Sequence, residues 1–425
     1  MTRIDRRGFT FGAAAAALAG AGMPARAADG LHKRFAGTTL NILSRTSPAF
    51  DVTVRIGEAF TEATGINLQI TRVAPSDHYT KLMLDWTSGT NAYDVSLFIY
   101  QWKPDLAQFL ADPTPSGEAP PLDLDDYPTK VLDVYGRYEN RLVGLPLLGD
   151  VAFLLSNNAI FEARGLRDVG AAKSWEEVVD RGRRAAGNDV YGYALPAGKT
   201  PQCYVTWSIL YHAMGGRYFD AAGRIDLGGE AGIKATRLMA GDLQSIAPPG
   251  NLTWDYNEVL NSFSTGKSAQ AVMWAGGLGA LSNPASSAVA GKFMVNSTPG
   301  SSLLGGTSIG INAKSRNLEA ARLYLAWLTS RDVARRTAAG GLSPARLSLL
   351  GDPELSARFV HYAAVKAAFS GDTFGYVPIM EAEQILQMIA DEANSACART
   401  KSAEQAAADL QRRSEQFMRR RGYSK

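Results

Sequence analysis

The stretch from Thr38 to Tyr100 switches back and forth between two periodicities, and that alternation limits the fold more than any other feature of the 425 residues. In "TTLNILSR" apolar residues recur as in a strand, with Leu40, Ile42 and Leu43 as the inward set. "DVTVRIGEAFTEATG" changes to helical spacing through Val54, Ile56 and Phe60 and closes on Gly65. "INLQITRV" alternates again, "DHYTKLMLDWTSG" reads as a helix, and "YDVSLFIY" as a nearly continuous apolar strand. Strand, helix, strand, helix, strand implies a mainly parallel sheet covered on both faces. The Pro-rich "ADPTPSGEAPPLDLDDYP" that follows is a surface loop.

From "LVGLPLLGDVAFLLSNNAIF" the chain leaves this sheet: Pro146 and Gly149 break the run, and "VAFLLS" begins a new strand. "KSWEEVVDRGRRAAG" is marked as a helix by a capping box of Ser174 and Glu177 and by Gly187 at its end. A largely helical stretch runs through "VTWSILYHAMGG", and "KFMVNSTP" and "GGTSIGINA" are later strands. Leu318, Ala321, Leu325 and Leu328 form one buried helical face. The closing helix has a second capping box, Ser402 and Gln405, and a side lined by Ala406, Leu410 and Phe417.

The opening residues carry a different message. "DRRGFTFGAAAAALAGAGMPARA", Asp5 to Ala27, places Arg6 and Arg7 before an apolar run from Gly12 to Met23 that is too short to span a bilayer. It ends in Ala25-Arg26-Ala27, the small-residue pattern a signal peptidase cuts. With Phe9, the paired arginines resemble a twin-arginine export signal, whose cargo crosses already folded. The expected mature chain starts near Ala28 and works in the periplasm. The formal charge of +3 belongs to this leader, where Arg3, Arg6, Arg7 and Arg26 face Asp5 alone. The remainder is formally neutral, which gives no support for nucleic-acid or anionic-membrane binding. No later segment is apolar enough to span a membrane, and the mature length suits two domains.

Catalytic and metal chemistry find little support. Cys203 and Cys397 are the only cysteines, able to pair in an oxidising compartment but reduced if folding precedes export. His32, His78, His212 and His361 are scattered without metal-ligand spacing, so no metal and no cofactor is expected. "GTSIG" at 306–310 matches the hydrolase nucleophile motif, yet Ile309, Ile311 and Asn312 continue an extended pattern with no elbow. His361 reads as a packed helical residue, and "GYALPAGKT" has the wrong spacing for a phosphate loop. Asp125-Asp126 and Glu176-Glu177 are explained by solvation and a helix's first turn.

The polar and aromatic residues at strand ends stand apart from this. In open parallel sheets ligands bind beyond the carboxyl ends of the strands. Tyr100, Gln101 and Trp102 follow the third strand, and Ser44, Arg45 and Thr46 follow the first. Trp207, Trp254 and Trp274 lie in the other half of the chain. Flat apolar rings interleaved with hydrogen-bonding groups suit sugars and polyols. Arg45 also admits an anionic solute. Gly305 and Gly306 would let a ligand approach the backbone.

Four ordered stretches carry a resemblance. "LVGLPLLGDVAFLLSNNAIFEARGL" with "KSWEEVVD", "LNSFSTGKSAQAVMWAGG", "GGTSIGINAKSRNLEAARLYLAWLTS" and "FGYVPIMEAEQILQMIADEANSACARTKSAEQAAADLQ" resemble the family 1 extracellular solute-binding proteins of bacterial ABC importers. The sequence departs from the family at Ser156-Asn157, where a Tyr-Asn pair is frequent, and around Tyr100-Gln101, where an acidic residue is usual. The resemblance implies an α/β, two-lobe periplasmic binding protein fold of type II. Lobe 1 would comprise 37–148 and 292–340, and lobe 2 149–291 and 341–425, with crossings near Gly149 and Asp150, Lys292 and Gly341. It implies a monomeric receptor that closes on a sugar, polyol or related solute and delivers it to membrane permease subunits. Arg45, Thr46, Tyr100, Gln101, Trp102, Asp150, Trp207, Trp254, Asp255, Trp274, Gly305, Gly306 and Glu381 form the expected ligand-binding set. The alternative is an exported carbohydrate-active enzyme on the same scaffold.

Overall fold

The computed structural model describes residues 33–46, 48–117, 119–166, 169–359 and 361–423; the leader read at 1–27 lies outside them. Its first five major elements follow the alternation of the sequence: β1 (Thr39–Arg45), α1 (Pro48–Thr64), β2 (Asn67–Val73), α2 (Pro75–Ser88) and β3 (Val95–Ile99). β1 lies parallel between β2 and β3, with Leu40 opposite Leu68 and Ile42 opposite Val95. α1 stops at Gly65, whose φ of +74° is open to glycine at no steric cost. β4 (Leu110–Ala111) and β5 (Leu145–Leu148) complete the pass through this first sheet.

The chain then builds a second body. β6 (Ala152–Asn157) is followed by the helices α3 (Trp175–Ala185), α4 (Pro201–Ala213) and α5 (Tyr256–Ser264), then by β7 (Gln270–Trp274) and β8 (Phe293–Ser297). These strands form a three-stranded antiparallel sheet in the order β8-β6-β7. β9 (Thr307–Asn312) returns to the first sheet, giving the order β2-β1-β3-β9-β4 with β5 also paired to β9. The return expected near Lys292 therefore comes later: residues 293–297 stay in the second sheet, and the passage back runs through Leu304 to Gly306. β8 is half-buried along most of its length, so its own sequence gives little sign of which sheet it joins.

α6 (Leu318–Thr329) covers the first sheet with Ala321, Leu325 and Leu328, in a core shared with Leu40, Ile42, Phe60 and Val95. The larger core surrounds the second sheet and takes in α7 (Ala382–Cys397) and α8 (Ala403–Arg420). Both halves of the expected capping box are present on α8: Gln405 N donates to Ser402 Oγ (3.1 Å), and Ser402 N to Gln405 Oε1 (2.9 Å). On α3 only one half forms. Glu177 N donates to Ser174 Oγ, while the Glu177 carboxylate accepts from Lys173 N, one residue further back.

Three sequence features fall into structural roles. Ser308 sits buried inside β9 and donates to Tyr135 O (3.0 Å), with no nucleophile turn. His361 is buried against Phe359 and Tyr362. Cys203 and Cys397 are free and buried; the Cys203 thiol faces Ala390 O, seven residues along α7 from Cys397, or about 10 Å of helix.

Trp207 belongs to the core of the second body. It is 1% exposed, its Nε1 donates to Thr236 Oγ1 (2.9 Å), and its ring stacks on Tyr211 at 4.9 Å. Replacing it leaves a large void and removes the bond to Thr236 Oγ1, which keeps its own bond to Gly232 O (2.8 Å), so Trp207→Ala should cost about 3–5 kcal/mol in urea unfolding. A loss below about 1 kcal/mol would contradict this placement.

Candidate functional site

Parallel pairing puts the ends of β1 and β3 on one edge of the first sheet, and antiparallel β9 begins there. Arg45, the last residue of β1, donates from Nη2 to Thr307 Oγ1 at 2.9 Å, and its guanidinium lies 5.2 Å from the Phe50 ring centre. Burial lowers the Arg45 pKa to about 10, although the charge of Asp150 opposes the shift. Arg45 stays a cation at neutral pH. Nearby His78 is driven down to about 4 by burial and by the charge of Arg45, so it is neutral.

Asp150 sits on the backbone that leaves the first sheet. Its Oδ1 accepts from Val151 N (3.0 Å) and Gly276 N (3.1 Å). Burial nevertheless raises its pKa to about 7, against the pull of those N–H groups and of Arg45. Tyr256 faces the same carboxylate, and burial keeps its hydroxyl protonated.

The wall from the second body is Trp274, at the end of β7, whose Nε1 donates to Gln202 Oε1 (3.2 Å). Gly305 lies so close to the Trp274 ring that a Cβ would collide with it, and Gly306, at φ +117°, meets the Tyr135 ring in the same way. The freedom of these glycines is thus taken up by two aromatic rings. Gly305 N also donates to Asp150 O at 2.9 Å, which ties the two passing strands together.

A column of tyrosines stands behind this group. Tyr100 stacks between Tyr135 (5.4 Å) and Tyr376 (5.7 Å), donates to Leu304 O (2.6 Å) and accepts from Tyr376 N. Tyr204 meets Tyr376 edge-on. Beside Tyr100, Gln101 Nε2 and Trp102 Nε1 both donate to Glu383 Oε1, at 2.6 and 3.1 Å. Glu383 is on the first turn of α7, so these bonds join the end of β3 to the helix that closes the second body.

The remaining expected residues are spread around this centre. Asp255 is a helix cap, accepting from Gln202 N (3.0 Å) while its own N–H donates to Glu258 (2.9 Å). Trp254 is half-buried and binds Gly198 and Thr200 through its carbonyl. Thr46 is exposed and extends the pairing of β1 through its N–H. Glu381 pairs with Arg421 (2.6 Å), and its N–H donates to Asp105. The structure therefore brings together Arg45, Asp150, Trp274 and Gly305, with Tyr100, Gln101 and Trp102 adjoining through Leu304. It leaves Trp207 in the core and Glu381 on an ion pair.

Four residues outside the expected set contact this group: Glu383, Gln202, Tyr256 and Thr307. Glu383 is two positions after Glu381. Tyr256 follows Asp255, Gln202 reaches Asp255 and Trp274 only through the fold, and Thr307 is hidden inside a strand. Among the described residues no cluster of His, Cys, Asp or Glu could hold a metal, and no helix is long and apolar enough to cross a membrane.

Comparison with known proteins bears on this arrangement. The family model of the bacterial extracellular solute-binding proteins matches residues 51–335. A protein of Sinorhizobium fredii named probable amino-acid ABC transporter periplasmic-binding protein y4oP is 45% identical over 430 residues, covering 99% of this chain and 100% of its own. An ABC transporter solute-binding protein from Agrobacterium radiobacter K84, solved in complex with ribitol, matches with a TM-score of 0.80 at 23% identity, over 90% of this chain and 99% of that one. Maltose-bound MalE3 of T. maritima matches at 0.79 and 18% identity, over 90% of this chain and 100% of that one. At these identities the solved structures establish the shared two-lobe fold. The relatives are binding components of transporters, not enzymes, and this chain is a binding protein.

Native protein keeps the Asp150 proton where the unfolded chain has already released it, so the associated stability is present below about pH 4 and lost as pH rises through about 7. Asp150→Asn, neutral throughout, should therefore gain stability relative to the parent between pH 4 and 8, by at most on the order of 4 kcal/mol. Urea unfolding of the ligand-free proteins across that range measures it. Parallel stability curves would contradict the buried, proton-holding carboxyl.

Proposed function

The chain belongs to the bacterial extracellular solute-binding proteins of ABC transporters, and from that premise we propose that it is the exported receptor of an importer. It captures a small polar solute between its lobes and carries it to the membrane permease. The observation that carries this reading is the grouping of Arg45 and Thr307 from the first sheet, Asp150 from the passing backbone and Trp274 from the second sheet. A solute touching all of them contacts both lobes only when they are closed. Its differential affinity then shifts the population toward the closed form, which the permease would recognise.

The rings of Trp274 and Tyr256 beside charged and amide groups support a hydroxyl-rich solute such as a sugar or polyol. Ribitol and maltose are the ligands of the two solved proteins of this fold. The Sinorhizobium relative is named for amino acids instead. In this reading residues 1–27 act as a twin-arginine leader, the mature monomer works in the periplasm, and lobe 1 keeps 37–148 together with the chain from about 305 to 340.

Isothermal titration of the purified protein with pentitols, hexitols, mono- and disaccharides, sugar acids and amino acids should find at least one solute bound at one site per chain. No binding across all these classes would overturn the receptor reading. With that solute, Trp274→Ala should weaken binding about tenfold through loss of a ring face; unchanged affinity would remove Trp274 from the site.

A further inference from the structure

We propose that the captured solute is a zwitterion, its carboxylate seated on Arg45 and its protonated amine on Asp150. This inference rests on the receptor reading above and names the chemistry of the same cleft. Arg45 offers five N–H donors, and among the described residues its one hydrogen-bond partner is Thr307 Oγ1, with Phe50 against its face. No carboxylate of the described residues lies within ion-pair distance of it. Asp150 has the complementary vacancy. Oδ1 takes two backbone N–H groups, the Ala275 N–H adds a weaker pull on the carboxylate, no side chain of the described residues donates to Oδ2, and Gly276 beside it has no side chain to cover the approach.

The two groups influence each other's protonation without forming an ion pair. They are opposite charges brought near one another by the passing backbone, Arg45 through its bond to Thr307 and Asp150 through its carbonyl's bond to Gly305 N. The neighbouring titratable groups do not complete either one. Tyr135 and Tyr256 are kept protonated by burial, and His78 is neutral. Glu383 is already engaged by Gln101 and Trp102. A neutral polyol would leave the two charges to offset only each other, without a direct ion pair, as the lobes close, and a singly charged solute would engage only one of them. A carboxylate and an amine on one molecule satisfy both at once, with the carboxylate held by charge-assisted bonds to the guanidinium fork.

A matched panel tests this by isothermal titration at pH 7: 2-amino-2-deoxygluconate and serine as zwitterions, gluconate as the anion, glucosamine as the cation and mannitol as the neutral member. At least one zwitterion should bind about tenfold or more tighter than every singly charged or neutral member. Its binding should also release protons, seen as a dependence of the heat on buffer ionisation enthalpy, because an amine beside Asp150 favours the carboxylate. Asp150→Asn should weaken the zwitterion more than gluconate, and Arg45→Gln should weaken it more than glucosamine. Thermal unfolding verifies that the variants fold, and the comparison within the parent protein stands without them. Mannitol, gluconate or glucosamine binding as tightly as the best zwitterion would overturn the inference and leave the receptor reading standing. No binding by any of these five solutes or by the pentitols, hexitols, saccharides, sugar acids and amino acids would overturn both.

Discussion

The two bodies are held in register by backbone that passes between them side by side. Leu148 pairs with Thr307, Val151 bridges Leu304, and Gly305 N donates to Asp150 O. A third passage runs alongside, where Gly149 N donates to Ser343 O; buried residues change from one core to the other between Leu342 and Ala345. Buried peptide groups need partners, and here the passing strands supply one another. Because those partners lie within the passage itself, small dihedral changes there can turn one lobe against the other while both sheets stay intact.

This arrangement explains why the charged group of the cleft is where it is. Asp150 is part of the passage, so its carboxylate is fixed by Val151 and Gly276 rather than by the face of either sheet. Arg45 is fixed by the first sheet and Trp274 by the second. A solute that engages all three is held by both lobes and by the backbone joining them. Converting a 1:99 mixture of closed and open forms to 99:1 requires about 5.5 kcal/mol of differential binding. Several hydrogen bonds to charged groups are sufficient for that. The Gln101–Glu383 and Trp102–Glu383 bonds join β3 to α7 directly, so in the proposed closure the protein's own surfaces would meet as well.

Much of the fold was legible because local periodicity and topology agree: β1 to β3 and their helices follow the pattern of residues 38–100. What periodicity does not encode is which sheet a strand joins. "KFMVNSTP" reads as a strand wherever it pairs, and only β6 beside it decides the matter. The site was legible to the extent that strand ends are. Arg45, Tyr100, Gln101 and Trp102 are expected on that ground, Trp274 from its flat ring and the resemblance, and Asp150 from the resemblance; the structure sets Arg45, Asp150 and Trp274 near one another. Trp207 and Trp274 are the same residue type in similarly apolar surroundings, and tertiary packing alone puts one in the core and the other against Gly305. Glu381 and Glu383 differ by two positions, yet the left-handed backbone at Glu381 turns its carboxylate to Arg421 and leaves Glu383 to meet β3.

In the proposed mechanism a solute between the lobes changes the relation of two rigid bodies. Spin labels on cysteines introduced at exposed Lys81 of α2 and Asp180 of α3 would report it directly, since both native cysteines are buried. Pulsed dipolar spectroscopy should show the inter-label distribution becoming shorter and narrower when the tightest solute found by calorimetry is saturating. A distribution identical with and without saturating solute would contradict closure as the basis of recognition.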